Sequence, residues 1–126
     1  PLIIHVPGME GRKDMYELTQ SIDIMPTILG VLGIDTPQSA QGKNMIAVLE
    51  GNEEPNEYVY GFSRGNMYIR SKEWKYLLRN NGQEELYYLP EDPLEKQNLI
   101  NTSRQDIIEE QEHLRERLQT WSEDFS

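Results

Sequence analysis

The chain has 126 residues, no cysteine and a net charge of −10, spread as −3 over the first fifty residues, −3 over the next fifty and −4 over the last twenty-six. That length holds one modest core, and a mean hydropathy of −0.72 suits a small layer packed against something larger. The missing thiols exclude disulfides, thiolate metal sites and a cysteine nucleophile. The absence of a basic patch argues against nucleic acid, and the acidic surface argues against anionic membranes.

No apolar run approaches the roughly 20 residues that span a bilayer, and no signal peptide is visible. The sequence opens on Pro1 inside an apolar run rather than on Met. It therefore reads as a portion of a longer protein, and its compartment stays open.

Leu2 to Val6 is a continuous, β-branched apolar run stopped by Pro7-Gly8. This composition predicts a strand buried on both faces, as in a parallel sheet. Gly11 to Glu17 is polar and reads as loop. Asp23 is placed to cap a helix with its carboxylate, and Pro26 falls in the first turn, where its missing N–H is not needed. Ile24, Ile28, Leu29 and Leu32 make the apolar face of that helix. Gly33 supplies a left-handed terminus and Ile34 the contact beyond it. Thr36 to Gly42 is a loop, and Asn44 to Leu49 predicts a short helix closed by Gly51.

From Glu57 the period changes to two. Tyr58, Tyr60 and Phe62 alternate, as do Trp74, Tyr76 and Leu78, with further short strands at Met67 to Ser71 and Glu85 to Leu89. Arg64-Gly65-Asn66, Ser71-Lys72-Glu73 and Asn80-Asn81-Gly82 separate them. Asn81-Gly82 is a strong hairpin signal, because both residues tolerate positive φ. The pattern predicts a four-stranded antiparallel meander. Ser103 to Trp121 follows as a helix with Ile107, Gln111, Leu114, Leu118 and Trp121 on one stripe and a loose capping box at Ser103 and Asp106. The expected core sets Tyr58, Tyr60, Trp74, Tyr76, Leu86 and Tyr88 against Leu114, Leu118 and Trp121.

Several short segments, in order, carry a resemblance. These are Pro1-Leu2-Ile3-Ile4-His5-Val6-Pro7-Gly8, Ser21-Ile22-Asp23-Ile24-Met25-Pro26-Thr27-Ile28-Leu29, Trp74-Lys75-Tyr76, Glu85-Leu86-Tyr87-Tyr88-Leu89 and Asp92-Pro93-Leu94-Glu95-Lys96-Gln97-Asn98-Leu99. Read as P-L-I-I-x-x-P-G, D-x-x-P-T-x-L, W-K-Y, E-L-Y-x-L and D-P-x-E-x-x-N-L, they resemble the carboxy-terminal end of the sulfatase family, in the alkaline phosphatase superfamily. The resemblance implies an α+β fold: the four-stranded antiparallel meander packed by a C-terminal helix, plus an N-terminal strand and helix belonging to the parent α/β domain. Residues 1–50 would then be the tail of the catalytic domain and 51–126 a carboxy-terminal subdomain.

The resemblance further implies a parent that cleaves sulfate esters with a formylglycine nucleophile and a divalent metal, calcium or magnesium. Such cleavage needs an activated nucleophile and a cation to hold the sulfate oxygens. No serine here is followed by x-Pro-x-Arg, and there is no Asp-Asp pair. No catalytic residue and no metal ligand is assigned, and the isolated chain is expected to be inactive. Its partner would be the N-terminal catalytic domain of the same chain. Without it, Leu2 to Val6 and the apolar helix face are expected to drive self-association through Ile3 and Ile4.

Other residues admit a functional and a plain reading. His5, at a strand end, and Arg64 and Asn66, at a hairpin tip, are the substrate-contact candidates, since loop tips reach into clefts. His113 and the Glu109, Glu110, Glu112 and Glu116 cluster read as solvated helix surface. Asp92, Glu95 and Asn98 suggest calcium, but a turn lock built on Asp92-Pro93 fits better. The aromatic alternation favours sheet core over a sugar-stacking platform. Two alternatives stand beside the sulfatase reading: a portion of a phosphodiesterase or phosphonate hydrolase, and a stand-alone acidic interaction module.

Overall fold

The computed structural model describes residues 2–124. The chain divides into two compact units, the first ending at Asn56 and the second beginning at Glu57.

The first unit is built on polar bonds more than on apolar burial. A 3₁₀ turn, Ser21–Asp23, runs into helix α1, Ile24–Val31, and helix α2 spans Met45–Glu50. Asp23 is fully buried, but it does not cap α1 as expected. Its Oδ2 accepts from Gln20 N–H at 2.8 Å and from Asn56 Nδ2 at 2.9 Å, while Oδ1 accepts from Lys43 N–H at 2.9 Å. The carboxylate is worth more to three donors brought from three parts of the chain than to one free helix N–H. Thr27 extends this hub: its hydroxyl donates to Asp23 O at 2.6 Å and accepts from Met45 N–H at 2.9 Å. Asp23 and Thr27 are the D and T of the D-x-x-P-T segment, so that motif is structural.

The helix ends follow the sequence. Ile34 N–H bonds Leu29 O and Gly33 N–H bonds Gly30 O, a Schellman end with Gly33 at φ +69. Asn44 Oδ1 accepts from Ile46 and Ala47 N–H, and Gly51 closes α2 in the left-handed region.

Leu2 to Val6 carries no secondary structure, contrary to the strand expected there. A strand exists only through a ladder to a neighbour, and the described residues supply none. α1 turns Pro26 and Thr27 inward and leaves Ile24, Ile28, Val31 and Leu32 in the open, with Ile28 54% and Leu32 64% exposed.

The second unit is the predicted meander: β1 Val59–Ser63, β2 Asn66–Arg70, β3 Trp74–Leu78 and β4 Glu84–Tyr88, antiparallel in sequential order, followed by helix α3, Gln105–Glu123. The register sets Tyr60, Ile69, Tyr76 and Leu86 in one row across the sheet. Ile69, Tyr76 and Leu86 of that row form the core with Ile107, Leu114 and Leu118 of α3, and Tyr58, Tyr60, Trp74 and Trp121 pack at its margin. Tyr60 stacks on Trp121 at 5.1 Å, and Trp74 meets Tyr88 at 4.7 Å. Of the expected core, Tyr76, Leu86, Leu114 and Leu118 are buried as expected, with Ile69 and Ile107 added; Tyr58, Tyr60, Trp74 and Trp121 are only partly buried against it, and Tyr88 is partly buried beside Trp74. Ser103 caps nothing: the N-cap is Arg104, whose guanidinium pairs with Asp106 at 2.6 Å.

Two side chains lock the connection that follows β4. Asn98 Oδ1 accepts from Leu86 N–H at 3.0 Å and from Ile100 N–H at 3.1 Å, and its Nδ2 donates to Glu84 O at 3.3 Å. Asp92 accepts from Lys96 and Gln97 N–H at 3.0 and 2.8 Å, and those two bonds hold its carboxyl below the usual range. The D-P-x-E-x-x-N-L segment is a turn lock.

Candidate functional site

The two hairpin turns differ from the sequence expectation in a way that matters. Arg64 and Gly65 take φ of +52 and +81, so the β1–β2 connection has the two left-handed central residues of a type I′ turn. In the β3–β4 connection only Gly82 is left-handed. Gly82 N–H bonds Arg79 O at 2.9 Å and Arg79 N–H bonds Gln83 O at 2.8 Å, which makes a three-residue loop with its glycine at the end. Asn81 has no need of positive φ there.

Both turns lie at the same end of the sheet, and side chains join them. Asn66 Nδ2 donates to Ser63 O at 3.0 Å, and its Oδ1 accepts from Asn80 N–H at 3.2 Å. Asn80 Nδ2 reaches Arg64 O at 3.4 Å. Of the predicted contact residues, Asn66 is thus committed to the turn, while Arg64 is exposed and its guanidinium forms no hydrogen bond or ion pair among the described residues. Asn80 was not singled out from sequence, because its role depends on a register that places it beside a turn 14 to 16 residues earlier. His5 belongs to the other unit, exposed on the irregular segment before Pro7.

Elsewhere the ionisable groups serve packing. Arg115 bonds Glu84 at 3.0 and 2.7 Å, and the Tyr76 hydroxyl donates to Glu84 at 2.8 Å. The Arg115 bond holds the Glu84 carboxyl below its ordinary value. Burial, with Glu84 alongside, pushes Tyr76 up to about 12. His113 is exposed but engaged: Arg117 Nε–H donates to its Nε2 at 3.0 Å, and the Tyr58 hydroxyl lies 3.2 Å from the same atom. No three His, Cys, Asp or Glu gather in a metal-binding group among the described residues. The divalent metal and the formylglycine implied by the resemblance find no fitting residues here.

The fold and its locks define the class: an α+β chain in which a sequential four-stranded antiparallel meander is packed by a C-terminal helix. Residues 1–124 match the family profile described as N-sulphoglucosamine sulphohydrolase, C-terminal. The chain belongs to this family, the carboxy-terminal portion of the sulfatases.

Among curated relatives it is 35% identical to an arylsulfatase of Clostridium perfringens over 112 residues, covering 81% of this chain and 23% of the relative. It is 32% identical to a Delta 4,5-hexuronate-2-O-sulfatase of Bacteroides thetaiotaomicron, covering 79% and 24%. The chain therefore spans 23% and 24% of the lengths of these two relatives. Among solved structures it resembles one of a protein in complex with its substrate D-glucosamine-2-N,6-O-disulfate, with TM-score 0.67, 21% identity and coverage of 80% and 23%. It also resembles the phosphonate monoester hydrolase of Agrobacterium radiobacter, with TM-score 0.68, 20% identity and coverage of 87% and 26%. These two likenesses show the fold.

Proposed function

We propose that the chain is the part of a sulfuric ester hydrolase that completes and caps its catalytic domain, and that it supplies neither nucleophile nor metal ligands. The observation that carries this is the uncovered apolar side of the first unit. Leu2, Ile3, Ile4, Ile24, Ile28, Val31 and Leu32 are all exposed, while the polar hub behind them is fully bonded. An apolar patch of that extent marks a contact surface, and a family portion spanning 23% of its relative leaves a catalytic domain to fill it. The nucleophile and the metal would come from that preceding domain of the same chain.

The substrate class that fits best is a sulfated saccharide. A relative acts as a hexuronate-2-O-sulfatase, and a structural neighbour holds a glucosamine disulfate. The phosphonate hydrolase likeness keeps a second reading, a phosphonate or phosphodiester substrate. Sulfate release measured beside phosphonate and phosphodiester cleavage in the full-length protein separates the two.

The docking test is Ile28→Lys. In the 126-residue chain it should leave the melting temperature unchanged and reduce self-association, since the apolar side there has no other partner. In the full-length enzyme it should lower stability and activity together. Full activity of that variant would overturn the docking surface. Turnover by the 126-residue chain alone, scaling with its concentration, would overturn its reading as a cap.

A further inference from the structure

We propose that Arg64 is an anion-recognition residue presented by a braced turn, with Asn66 and Asn80 as positioning residues, and that its ligand is a sulfate group of a saccharide. The proposal rests on the sulfate-ester reading above.

The argument starts from an inconsistency between residue and conformation. The first central position of a type I′ turn favours Asn, Asp or Gly, because a larger side chain is strained at positive φ. Arginine occupies it at φ +52. Strained backbone persists where the surroundings over-determine it, and they do so here. Asn66 bonds Ser63 O, Asn80 N–H bonds Asn66, and Asn80 Nδ2 bonds Arg64 O. A Cβ placed on Gly65 would stand 3.0 Å from the Asn80 Cβ, so Asn80 also sits close behind the turn.

Each of these polar side chains is spent on holding the turn, and the guanidinium at its apex is not. A turn backbone fixed in this way reduces the part of the ordering cost of recognition that falls on the main chain. A guanidinium presents a planar fork of N–H donors that matches two oxygens of an oxyanion. In a chain of net charge −10, a braced, unpaired arginine is placed for an anion rather than for the fold.

The test uses the full-length protein and two soluble probes, D-glucosamine-2-N,6-O-disulfate and D-glucosamine. Affinity is read by titration calorimetry and sulfate release is read separately. Arg64→Gly retains the turn, since glycine is favoured at positive φ, and removes only the fork. We expect wild type to prefer the disulfate, Arg64→Gly to lose about tenfold of that preference at an equal or higher melting temperature, and Arg64→Lys to keep part of it. Asn80→Ala should weaken disulfate binding and raise KM while leaving kcat unchanged. Wild-type preference retained in Arg64→Gly overturns the proposal, as does a wild type that binds both probes equally. So does a melting temperature that falls in Arg64→Gly along with affinity, for then arginine serves the fold. Sulfate release by the wild type bears on the ester-hydrolase reading alone.

Discussion

Lys75 Nζ meets both carboxylate oxygens of Glu95, at 2.8 and 2.7 Å. The lysine of W-K-Y and the glutamate of D-P-x-E-x-x-N-L are therefore one contact, and Glu95 takes φ +54 to make it. Glu95→Ala should cost about 1 kcal/mol, because the pair is partly shielded and the strain remains. Glu95→Gly loses the same pair but relieves the left-handed backbone, worth about 1 kcal/mol, and should be close to neutral. Urea unfolding of both variants checks the order. Equal losses would mean that the backbone carries no strain.

Asn98 bonds the Leu86 N–H and the Glu84 carbonyl on the outer side of β4, and the Ile100 N–H beyond it. Asn98→Ala leaves the Leu86 N–H without its acceptor and should destabilise the protein by about 1–3 kcal/mol. Asn98→Asp keeps the acceptor, loses the donor to Glu84 O and should fall between the two. Chemical denaturation with Trp74 and Trp121 fluorescence reads the series.

Asp23 is fully buried and accepts from three donors. Asp23→Asn turns one acceptor oxygen into a donor that faces donors, and about 2–3 kcal/mol should be lost. The loss should appear in the first unit, read by amide exchange at Lys43 and Gln20, while the amides of β2 and β3 stay protected. Uniform loss of protection over both units would contradict a separate hub.

The Glu84–Tyr76–Arg115 cluster sets two pH limits of opposite sign. The Glu84 carboxyl is held low in the fold, so its contribution is present above its unfolded value and fades as pH falls through the folded one. Tyr76 is held up at about 12, so its contribution is complete below its unfolded value of about 10 and fades as pH rises toward 12. Glu84→Gln should flatten the acid limb of the melting temperature and Tyr76→Phe the alkaline limb. A Tyr76→Phe protein with an unaltered alkaline slope would place that titration elsewhere, Tyr87 being the other tyrosine raised to about 12.

Much of this was legible in the sequence, and the misses have causes. The strands and α3 follow from strong periodicity, and the ends of α1 and α2 from Gly33 and Gly51. Ile69 is flanked by Tyr68 and Arg70, and Met67 alone shares its face within β2; the register, which sets it between Tyr60 and Tyr76, is what places it at the centre of the core. Leu2 to Val6 has the composition of a buried strand, but a strand is a property of pairs. Asp23 was placed at the right corner and given the wrong partners, since donors from Lys43 and Asn56 are invisible to local rules. Arg64 and Asn66 were legible as hairpin residues; the brace by Asn80 was not, because it crosses two hairpins.

The sequential order of the sheet bears on how the protein reaches its native state. Each strand of the meander pairs with the one next to it in the chain, so every loop that must close is short and its entropy cost small. The first unit waits instead on a contact between Asp23 and Asn56, 33 residues apart. During synthesis the first unit emerges earlier and yet has a longer search than the pairing of the strands. The meander's strands, made later, should pair quickly, and refolding of a Trp121→Phe variant should show the Trp74 signal settling before the amides of the Asp23 hub become protected.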